Sequence, residues 1–160
     1  KIMSVVDEPA VAALLIGKSA RASELNIKFT LNDGSNYSKN DLMLPPELMV
    51  TVIGNLIDNA YDSMNVKGNK DTLQNELHIG IYSKKDSVLI TVEDTGAGIS
   101  EDNKEHIFEN GFSTKGEGRG TGLHHVKELI DSVGGKITVE SQEKVGTSFT
   151  VLFSKEEKVI

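Results

Sequence analysis

The sequence predicts an α/β protein: a two-layer α/β sandwich with a mixed sheet, helices on one face of that sheet, and a long glycine-rich lid. Two observations predict this class. Segments with apolar residues at helical spacing are interspersed with segments of period two, and residues 76–93 and 136–153 have the pattern of two antiparallel hairpins. Helices mixed with antiparallel strands bury their apolar stripes on one face of a single sheet.

The first third of the chain predicts a helix, a strand and a loop. Pro9, followed by apolar residues at helical spacing, indicates a helix over residues 9–24 with proline in its first turn. The segment NIKFTL, residues 26–31, is typical of a short strand. Residues 32–40 are rich in Asn, Asp, Gly and Ser, which indicates a loop.

A second helix is predicted from Pro45 and Pro46 to about Met64. Asn55 and Asn59 lie four residues apart at the margin of its apolar stripe, so their amides stack on one side. An amide oxygen there can ligate Mg²⁺, which takes one or two protein oxygens together with phosphate and water. A solvated helix flank is equally compatible with the helix alone, so both interpretations stay open here.

The second half of the chain predicts a hairpin, the lid, a helix and a final hairpin. Residues 96–122 show no regular period and contain seven of the fifteen glycines, which is typical of a functional loop or lid. The helix that follows carries Leu123, Val126, Ile130 and Val133 on one side. Gly134 and Gly135 are its C-terminal stop.

Composition and charge exclude several classes of function. The 160 residues form one domain, and the absence of cysteine excludes thiolate chemistry and cysteine-based zinc sites. Acidic residues outnumber basic ones by 24 to 17, so the overall field opposes nucleic acid. The longest apolar run, residues 11–16, falls far short of the roughly 20 that span a bilayer, which indicates a cytoplasmic type of domain.

Asp94 ends a predicted strand and is followed by glycines at positions 96 and 98. A carboxylate fixed there can accept a hydrogen bond from an exocyclic amine such as that of adenine, while Gly96 and Gly98 let the backbone approach a ligand. A simple Asp-Thr-Gly turn fits the same residues. An aspartic protease would need a second such motif or a dimer, because the chain contains only one.

The lid ends in glycines spaced two apart directly before a predicted helix: Gly118, Gly120 and Gly122. Their backbone N–H groups and the helix N-terminus can hold a phosphate, and Lys115 and Arg119 supply positive charge. Glycine-rich turns before helices are common, so this pattern is weak evidence by itself.

Other residues in the chain are predicted to serve structure. Phe108 and Phe112 are expected to anchor the lid to the core rather than to stack on a base. The segment IGKSA at 16–20 ends like a phosphate-binding loop, but Ala12 stands where that motif has its first glycine. The four histidines form no metal-ligand pattern with acids and are expected at the surface.

The order of these motifs carries a specific resemblance. NLIDNAYDS, VEDTGAGI, IFENGFSTK, GRGTGL and GTSF resemble, in that order, the N, G1, F, G2 and G3 boxes of the Bergerat-fold (GHKL) ATPases. Over roughly residues 26–153 the chain is similar to the ATP-binding catalytic domain of a sensor histidine kinase, most of all in the citrate and C4-dicarboxylate sensor subfamily.

The resemblance implies a role for each matching residue. Asn59 would ligate Mg²⁺, Asn55 would lie beside the phosphates, and Asp94 would bind the adenine amino group. Asn55, Asn59 and Lys115 are then the candidate catalytic residues, with ATP and Mg²⁺ as cofactors. Further candidate nucleotide-site residues besides the glycines and Arg119 are Asp62, Ile99, Phe108, Thr114, Thr121, Leu123 and Thr147.

Two departures from the family pattern refine these roles. Many histidine kinases have Lys or Arg where this chain has Asp62, so Lys115 or Arg119 becomes the expected cation. Hydrolysing relatives have a catalytic Glu where this chain has Asn55. An amide cannot act as a general base, so the site is expected to hold ATP for an acceptor rather than to activate water.

The resemblance also implies partners and a domain organisation. The acceptor histidine would lie on an upstream dimerisation domain, because no histidine precedes residue 78. Residues 1–25 would be a connecting helix from that domain, 26–154 the ATP-binding domain, and 155–160 a tail. A response regulator, a homodimeric full-length protein and a membrane anchor follow as expectations. A serine kinase of the anti-sigma type and a non-catalytic nucleotide-gated interaction module stay open as alternatives.

Overall fold

The chain folds around a mixed β-sheet. The computed structural model describes residues 2–66, 75–109 and 121–155. Within these residues the helices and strands are, in chain order, α1 (Ile2–Val5), α2 (Pro9–Glu24), β1 (Ile27–Leu31), α3 (Pro46–Val66), β2 (Asn75–Lys84), β3 (Ser87–Asp94), α4 (Glu101–Lys104), α5 (Thr121–Ser132), β4 (Lys136–Gln142) and β5 (Gly146–Ser154).

The sheet of these described residues has five strands in the order β1-β2-β3-β5-β4. β1 pairs parallel with β2, and every other neighbouring pair is antiparallel. Both predicted hairpins therefore form, and β5 inserts between β3 and β4. The predicted fold class, a mixed sheet with helices, is confirmed.

One face of the sheet is buried under the helices. Along β3, Val88, Ile90 and Val92 are buried and alternate with more exposed residues, as expected for an antiparallel strand with one face in water. The apolar stripe of α3 packs into the same core, and its buried members include Val52, Ile53, Leu56 and Ile57. This two-layer arrangement fixes the polar margin of α3 beside the end of β3.

The N-terminal helix α2 packs against α3 and belongs to the same core. Val11 and Leu15 of α2 are fully buried, and the Glu8 side chain caps the helix by accepting a hydrogen bond from the Val11 amide at 2.9 Å. Tyr61 of α3 donates its hydroxyl proton to the Lys18 carbonyl oxygen at 2.6 Å. That residues 1–25 also lead to another domain stays a prediction.

The structure departs from the sequence-based elements in four places. The helices α1 and α4 each have four residues, too few for a periodic pattern to indicate them. The helix α3 continues to Val66. Val133, predicted on one side of α5 with Leu123, Val126 and Ile130, lies just beyond the end of that helix, because α5 ends at Ser132, and it is 40% exposed.

The end of α5 is otherwise as predicted. Gly134 has a φ of +72°, and the Gly135 amide donates to the Ile130 carbonyl oxygen at 2.9 Å. Among the residues described, no helix combines the length and apolar character that a membrane span requires.

Candidate functional site

A polar stripe runs along one side of α3. Asn55, Asn59 and Ser63 follow each other at intervals of four residues, so they share one side of the helix, and all three are partly buried. The Asn55 amide nitrogen donates to the Thr51 carbonyl oxygen at 2.9 Å, one turn earlier in the same helix. The loop after Asp94 and the start of α5 both lie beside this stripe.

Asp94 lies beside this stripe, at the end of β3. Its side chain is 4% exposed, and its Oδ1 accepts a hydrogen bond from the Gly96 amide at 2.8 Å. A Cβ atom at Gly96 would lie 2.3 Å from Ser63 Oγ, so only glycine fits between the two segments. The carboxylate is thereby fixed by a tight turn that packs on α3.

The loop after Asp94 is attached on both sides. On the α3 side, the Ala97 amide lies 3.1 Å from Ser63 Oγ and 3.2 Å from the Ser63 carbonyl oxygen. On the other side, the Lys144 amide donates to the Ala97 carbonyl oxygen at 2.6 Å. Gly98 has a φ of +76°, a conformation that favours glycine. The loop therefore bridges α3 and the turn between β4 and β5.

Ser141 completes the support of this loop. The Ile99 amide donates to Ser141 Oγ at 2.7 Å, and Ser141 Oγ lies 2.9 Å from both the Gly146 carbonyl oxygen and Thr147 Oγ1. Thr147 is 4% exposed and is the cross-strand partner of Asp94. The structure thus brings Asp94, Ile99 and Thr147 together. We call this part, from Asp94 to Ile99 with Ser63, Ser141 and Thr147, the base end of the site.

The start of α5 meets the other end of the stripe. A Cβ atom at Gly122 would lie 3.5 Å from Asn55 Oδ1, so the first turn of α5 lies beside the Asn55 side chain. Asn55 and the first turn of α5 are called the phosphate end here. Leu123 is partly buried and packs against the core, and Thr121 is the first residue of the helix.

The other lid candidates lie outside the described residues. These are Phe112, Thr114, Lys115, Gly118, Arg119 and Gly120. The described part of the predicted lid begins with α4 and continues to residue 109. The roles predicted for the remaining lid residues stay predictions.

Phe108 packs as the sequence predicts. Its ring makes an edge-to-face contact with Phe149, with ring centroids 6.4 Å apart and planes at 69°. His124 Nδ1 lies 3.1 Å from the Phe108 carbonyl oxygen, and because a carbonyl only accepts, the histidine donates. The segment before the undescribed residues is thus tied both to the sheet and to α5.

Asp62 lies at the edge of the polar stripe of α3, three residues after Asn59 and seven after Asn55, on the border that faces α2. It lines a groove of about 710 Å³ between α2 and α3, together with Asp58 and Lys18, which form an ion pair at 2.5 Å. In the same groove, burial and the nearby Asp58 raise the pKa of Tyr61 to about 12. The predicted nucleotide contact of Asp62 stays a prediction, and Asp62 lies where the polar stripe borders this groove.

The donor set suits a cation that is shared with phosphate. No three acidic or histidine side chains within the described ranges cluster closely enough to hold a metal ion alone. Asn59 lies midway along the polar stripe, is partly buried, and carries a side-chain amide oxygen. Mg²⁺ is commonly held by one or two protein oxygens plus phosphates and water, so Asn59 fits that ion as one ligand of several.

Comparison with known proteins identifies the family. The sequence model described as "Histidine kinase-, DNA gyrase B-, and HSP90-like ATPase" matches residues 45–157. The chain belongs to this ATPase family. The matched range includes both ends of the site and the whole polar stripe of α3.

Sensor kinases are among the relatives of this ATPase-family chain. It is 33% identical to a probable C4-dicarboxylate sensor kinase of Halalkalibacterium halodurans, over 96% of the chain and 29% of that protein. It is 34% identical to the sensor protein CitS of Bacillus subtilis (strain 168), over 92% of the chain and 26% of that protein. The chain therefore spans less than a third of the length of these relatives.

A solved structure confirms the fold at lower identity. The catalytic domain of histidine kinase ThkA, in a nucleotide-free form, matches with a TM-score of 0.73 and 24% identity. The match covers 91% of this chain and 92% of that one. The two-layer architecture is thus that of a histidine kinase catalytic domain.

Sequence reasoning missed three residues that build the site: Ser63, Ser141 and Gly146. Ser63 continues the four-residue spacing of Asn55 and Asn59, so extending that stripe by one step would have found it. Gly146 has a φ of +152°, and a Cβ there would lie 2.1 Å from the Asp94 carbonyl oxygen. Ser141 has no local signal, because its three partners lie on other segments or across a turn.

Proposed function

We propose that this chain is the ATP-binding catalytic domain of a two-component sensor histidine kinase. In this role it presents the γ-phosphoryl group of ATP to a histidine on a separate dimerisation domain. One observation carries the proposal: the Asp94 loop packs at Ser63 and the start of α5 packs at Asn55, eight residues apart on one side of α3. At 1.5 Å per residue that separation is about 12 Å, which suits a nucleotide with its base at one end and its phosphates at the other.

The base end supplies recognition of adenine. The Asp94 carboxylate accepts a hydrogen bond from the exocyclic amine, and its position is fixed by the turn to Gly96. Gly96 and Gly98 keep the loop close to α3 and to the β4–β5 turn, which shapes the pocket for the ring. Because the protein holds this end through its own hydrogen bonds, the base binds to a preformed surface.

The phosphate end supplies orientation and charge compensation. Asn59 holds Mg²⁺, which neutralises the charge on the phosphates when it is bound. The first N–H groups of α5 have no partner within the helix and face the phosphates, with Lys115 and Arg119 as the cations. Asn55 has an amide in place of a carboxylate, so no general base activates water beside the phosphates.

The chemistry is then positioning for transfer rather than hydrolysis. Phosphoryl transfer requires an aligned acceptor and compensation of charge, and little else from the protein. The acceptor is a histidine of the parent protein's own dimerisation domain, and a response regulator receives the phosphoryl group afterwards. The names of the relatives, which include a probable C4-dicarboxylate sensor kinase, support a citrate or C4-dicarboxylate sensor as the parent. We propose further that this parent is a homodimer anchored in the cell membrane, with this domain in the cytoplasm.

A binding experiment tests the base end of this proposal. Calorimetry should show that the wild-type chain binds ATP and ADP in the presence of Mg²⁺, and that Asp94→Ala weakens binding at least about tenfold. The reason is the loss of the hydrogen bond between the carboxylate and the amine. Glu93→Ala, on the opposite face of the same strand, is the matched control and should bind as the wild type does. If a folded Asp94→Ala variant bound ATP as tightly as the wild type, the proposed recognition of adenine by Asp94 would be wrong.

A transfer experiment tests the reaction class. Incubated alone with radiolabelled ATP, the chain should label itself negligibly and hydrolyse ATP only slowly. A histidine-bearing dimerisation domain of the parent protein should then acquire acid-labile label, although the missing covalent tether lowers the rate. Acid-stable label on a serine of an added protein would instead favour an anti-sigma-type serine kinase, and nucleotide binding without any transfer would favour an interaction module.

A further inference from the structure

The hydroxyl group of Ser141 has three hydrogen-bond partners. The Ile99 amide nitrogen lies at 2.7 Å, the Gly146 carbonyl oxygen at 2.9 Å, and Thr147 Oγ1 at 2.9 Å. A serine hydroxyl has one proton to donate and two lone pairs with which to accept. These three contacts therefore use its full hydrogen-bonding capacity.

The chemistry of the partners fixes the direction of each bond. The Ile99 N–H can only donate, and the Gly146 carbonyl oxygen can only accept, so the single proton of Ser141 goes to Gly146. Thr147 must then donate its own proton to Ser141. The Thr147 oxygen keeps only lone pairs, so toward any other group it acts as an acceptor.

This acceptor lies beside Asp94. The two residues are cross-strand partners, and each is only 4% exposed. A carboxylate also accepts hydrogen bonds, so the base end presents two acceptors next to each other. A water molecule bridging them would use both of its protons on them and would itself face a ligand with a lone pair. With or without such a water, this position favours a donor on the ligand.

We infer that Ser141 is a positioning residue that sets the preference of the base end for a 6-aminopurine over a 6-oxopurine, by fixing the direction of the Thr147 hydroxyl. The inference rests on the proposed nucleotide site. The amine of adenine donates to these acceptors, whereas the carbonyl oxygen of hypoxanthine or guanine meets them with another acceptor. Preference therefore comes partly from rejection of the wrong base, which specific sites commonly use.

The experiment compares ATP with inosine triphosphate, which differs in having a 6-oxo group. Calorimetry should show that the wild-type chain binds ATP at least about tenfold more tightly. In Ser141→Ala the Thr147 hydroxyl can rotate and donate to the 6-oxo group, so this ratio should fall by about tenfold or to near unity. A residue that only supported the fold would weaken both nucleotides in proportion and leave the ratio unchanged.

Two further variants make the test independent of the folding of Ser141→Ala. Thr147→Val keeps the contacts of Ser141 with Ile99 and Gly146 but removes the acceptor, and its ratio should also fall. If Ser141→Ala does not fold, Ser141→Cys replaces it, because its thiol fills the space but is too weak an acceptor to hold the Thr147 proton, so the ratio should fall here as well. Ser148→Ala, on the opposite face of β5, is the control and should keep the wild-type ratio.

The outcomes separate this inference from the proposed function. Wild-type binding of ATP with an unchanged ratio in the folded Ser141 variants would overturn the role of Ser141 and leave the ATP site intact. Equal binding of the two nucleotides by the wild type would overturn it as well. Failure of the wild type to bind ATP at all would overturn the proposed function, and the inference with it.

Discussion

At the base end of the site, four backbone amides donate to groups of the protein itself, whereas at the phosphate end the described contacts are few. The four amides belong to Thr95, Gly96, Ala97 and Ile99. At the phosphate end, the Asn55 amide bonds within its own helix and its oxygen lies beside Gly122. Both ends lie along α3. Hydrogen bonds from the loop after Asp94 fix the base end, whereas the contact described between segments at the phosphate end is that of Asn55 with Gly122.

The difference shows which part of the site is already formed by folding, before any ligand binds. The base end satisfies its own polar groups, so a base meets groups that are already in place, and little ordering accompanies its binding. The N-terminus of a helix, in contrast, has N–H groups without intrahelical partners, which an anion satisfies. In the proposed site, the phosphates of the nucleotide would be the anion that binds at the start of α5.

The largest expected effect comes from breaking the base end. Gly98→Ala places a Cβ about 2.2 Å from the Gln142 carbonyl oxygen, at a φ of +76°. We expect a loss of about 2 kcal/mol or more in the free energy of unfolding, together with weakened ATP binding. Chemical denaturation and calorimetry measure the two quantities.

The control for this prediction is Gly17→Ala in α2. A Cβ there meets nothing within 4 Å, so the variant should be as stable as the wild type or more stable by about 0.5 to 1 kcal/mol. Equal destabilisation by the two substitutions would show that the close approach at Gly98 is unimportant.

The phosphate end is tested by Asn59→Ala. We expect ATP affinity to fall by about tenfold when Mg²⁺ is present, because the cation loses its protein ligand, and to change little without Mg²⁺. Adenosine, which has no phosphates, should bind both proteins alike. Asn65→Ala, an exposed position near the end of the same helix, is the control. Loss of adenosine binding in Asn59→Ala would contradict the assignment of this residue to the phosphates.

The opposite side of α3 should affect stability and leave both ends of the site unchanged. Tyr61→Phe removes the hydrogen bond to the Lys18 carbonyl oxygen, which should lower the free energy of unfolding by about 1 kcal/mol. Thermal or chemical denaturation measures this loss, and calorimetry should find unaltered ATP affinity. A changed affinity would mean that the groove between α2 and α3 communicates with the site.

The same tyrosine has a pH signature. Its folded pKa of about 12 lies above the ordinary value near 10, because burial disfavours the ionised form. Its contribution to stability is therefore complete below pH 10 and is lost as the pH rises from about 10 to 12. Tyr61→Phe should lack this part of the alkaline loss of stability.

The smallest expected effect concerns the exposed pair that follows α4. His106 Nδ1 lies 2.6 Å from Glu109 Oε2, and this hydrogen bond and its charge raise the pKa of His106. The pair favours the folded state below the ordinary histidine pKa near 6.5, and the effect is lost as the pH rises through the folded value. In Glu109→Gln the pKa of His106 should fall toward its ordinary value in an NMR titration, whereas Glu128→Gln should leave it unchanged.

The sequence by itself determined the class of the fold and the chemistry of the main candidates. Helical and strand periods are local, so they revealed the amphipathic helices and the hairpins from neighbouring residues alone. Short motifs likewise predicted Asn55, Asn59 and Asp94 as candidates, because each motif is contiguous along the chain. The family match over residues 45–157 confirms the family that these motifs resemble, and the roles of the three residues stay predictions.

Only the tertiary structure decided how these residues are held. The pairing of β3 with β5 places Thr147 opposite Asp94, and the packing of the loop on α3 gives Ser63 its role. Ser141 has no distinguishing neighbour in sequence. Gly146 and Thr147 meet it across the β4–β5 hairpin, and Ile99 meets it only when that hairpin packs against the loop after Asp94. Strand register and helix packing depend on contacts between distant segments, and a local pattern contains no information about which distant segment will be its neighbour.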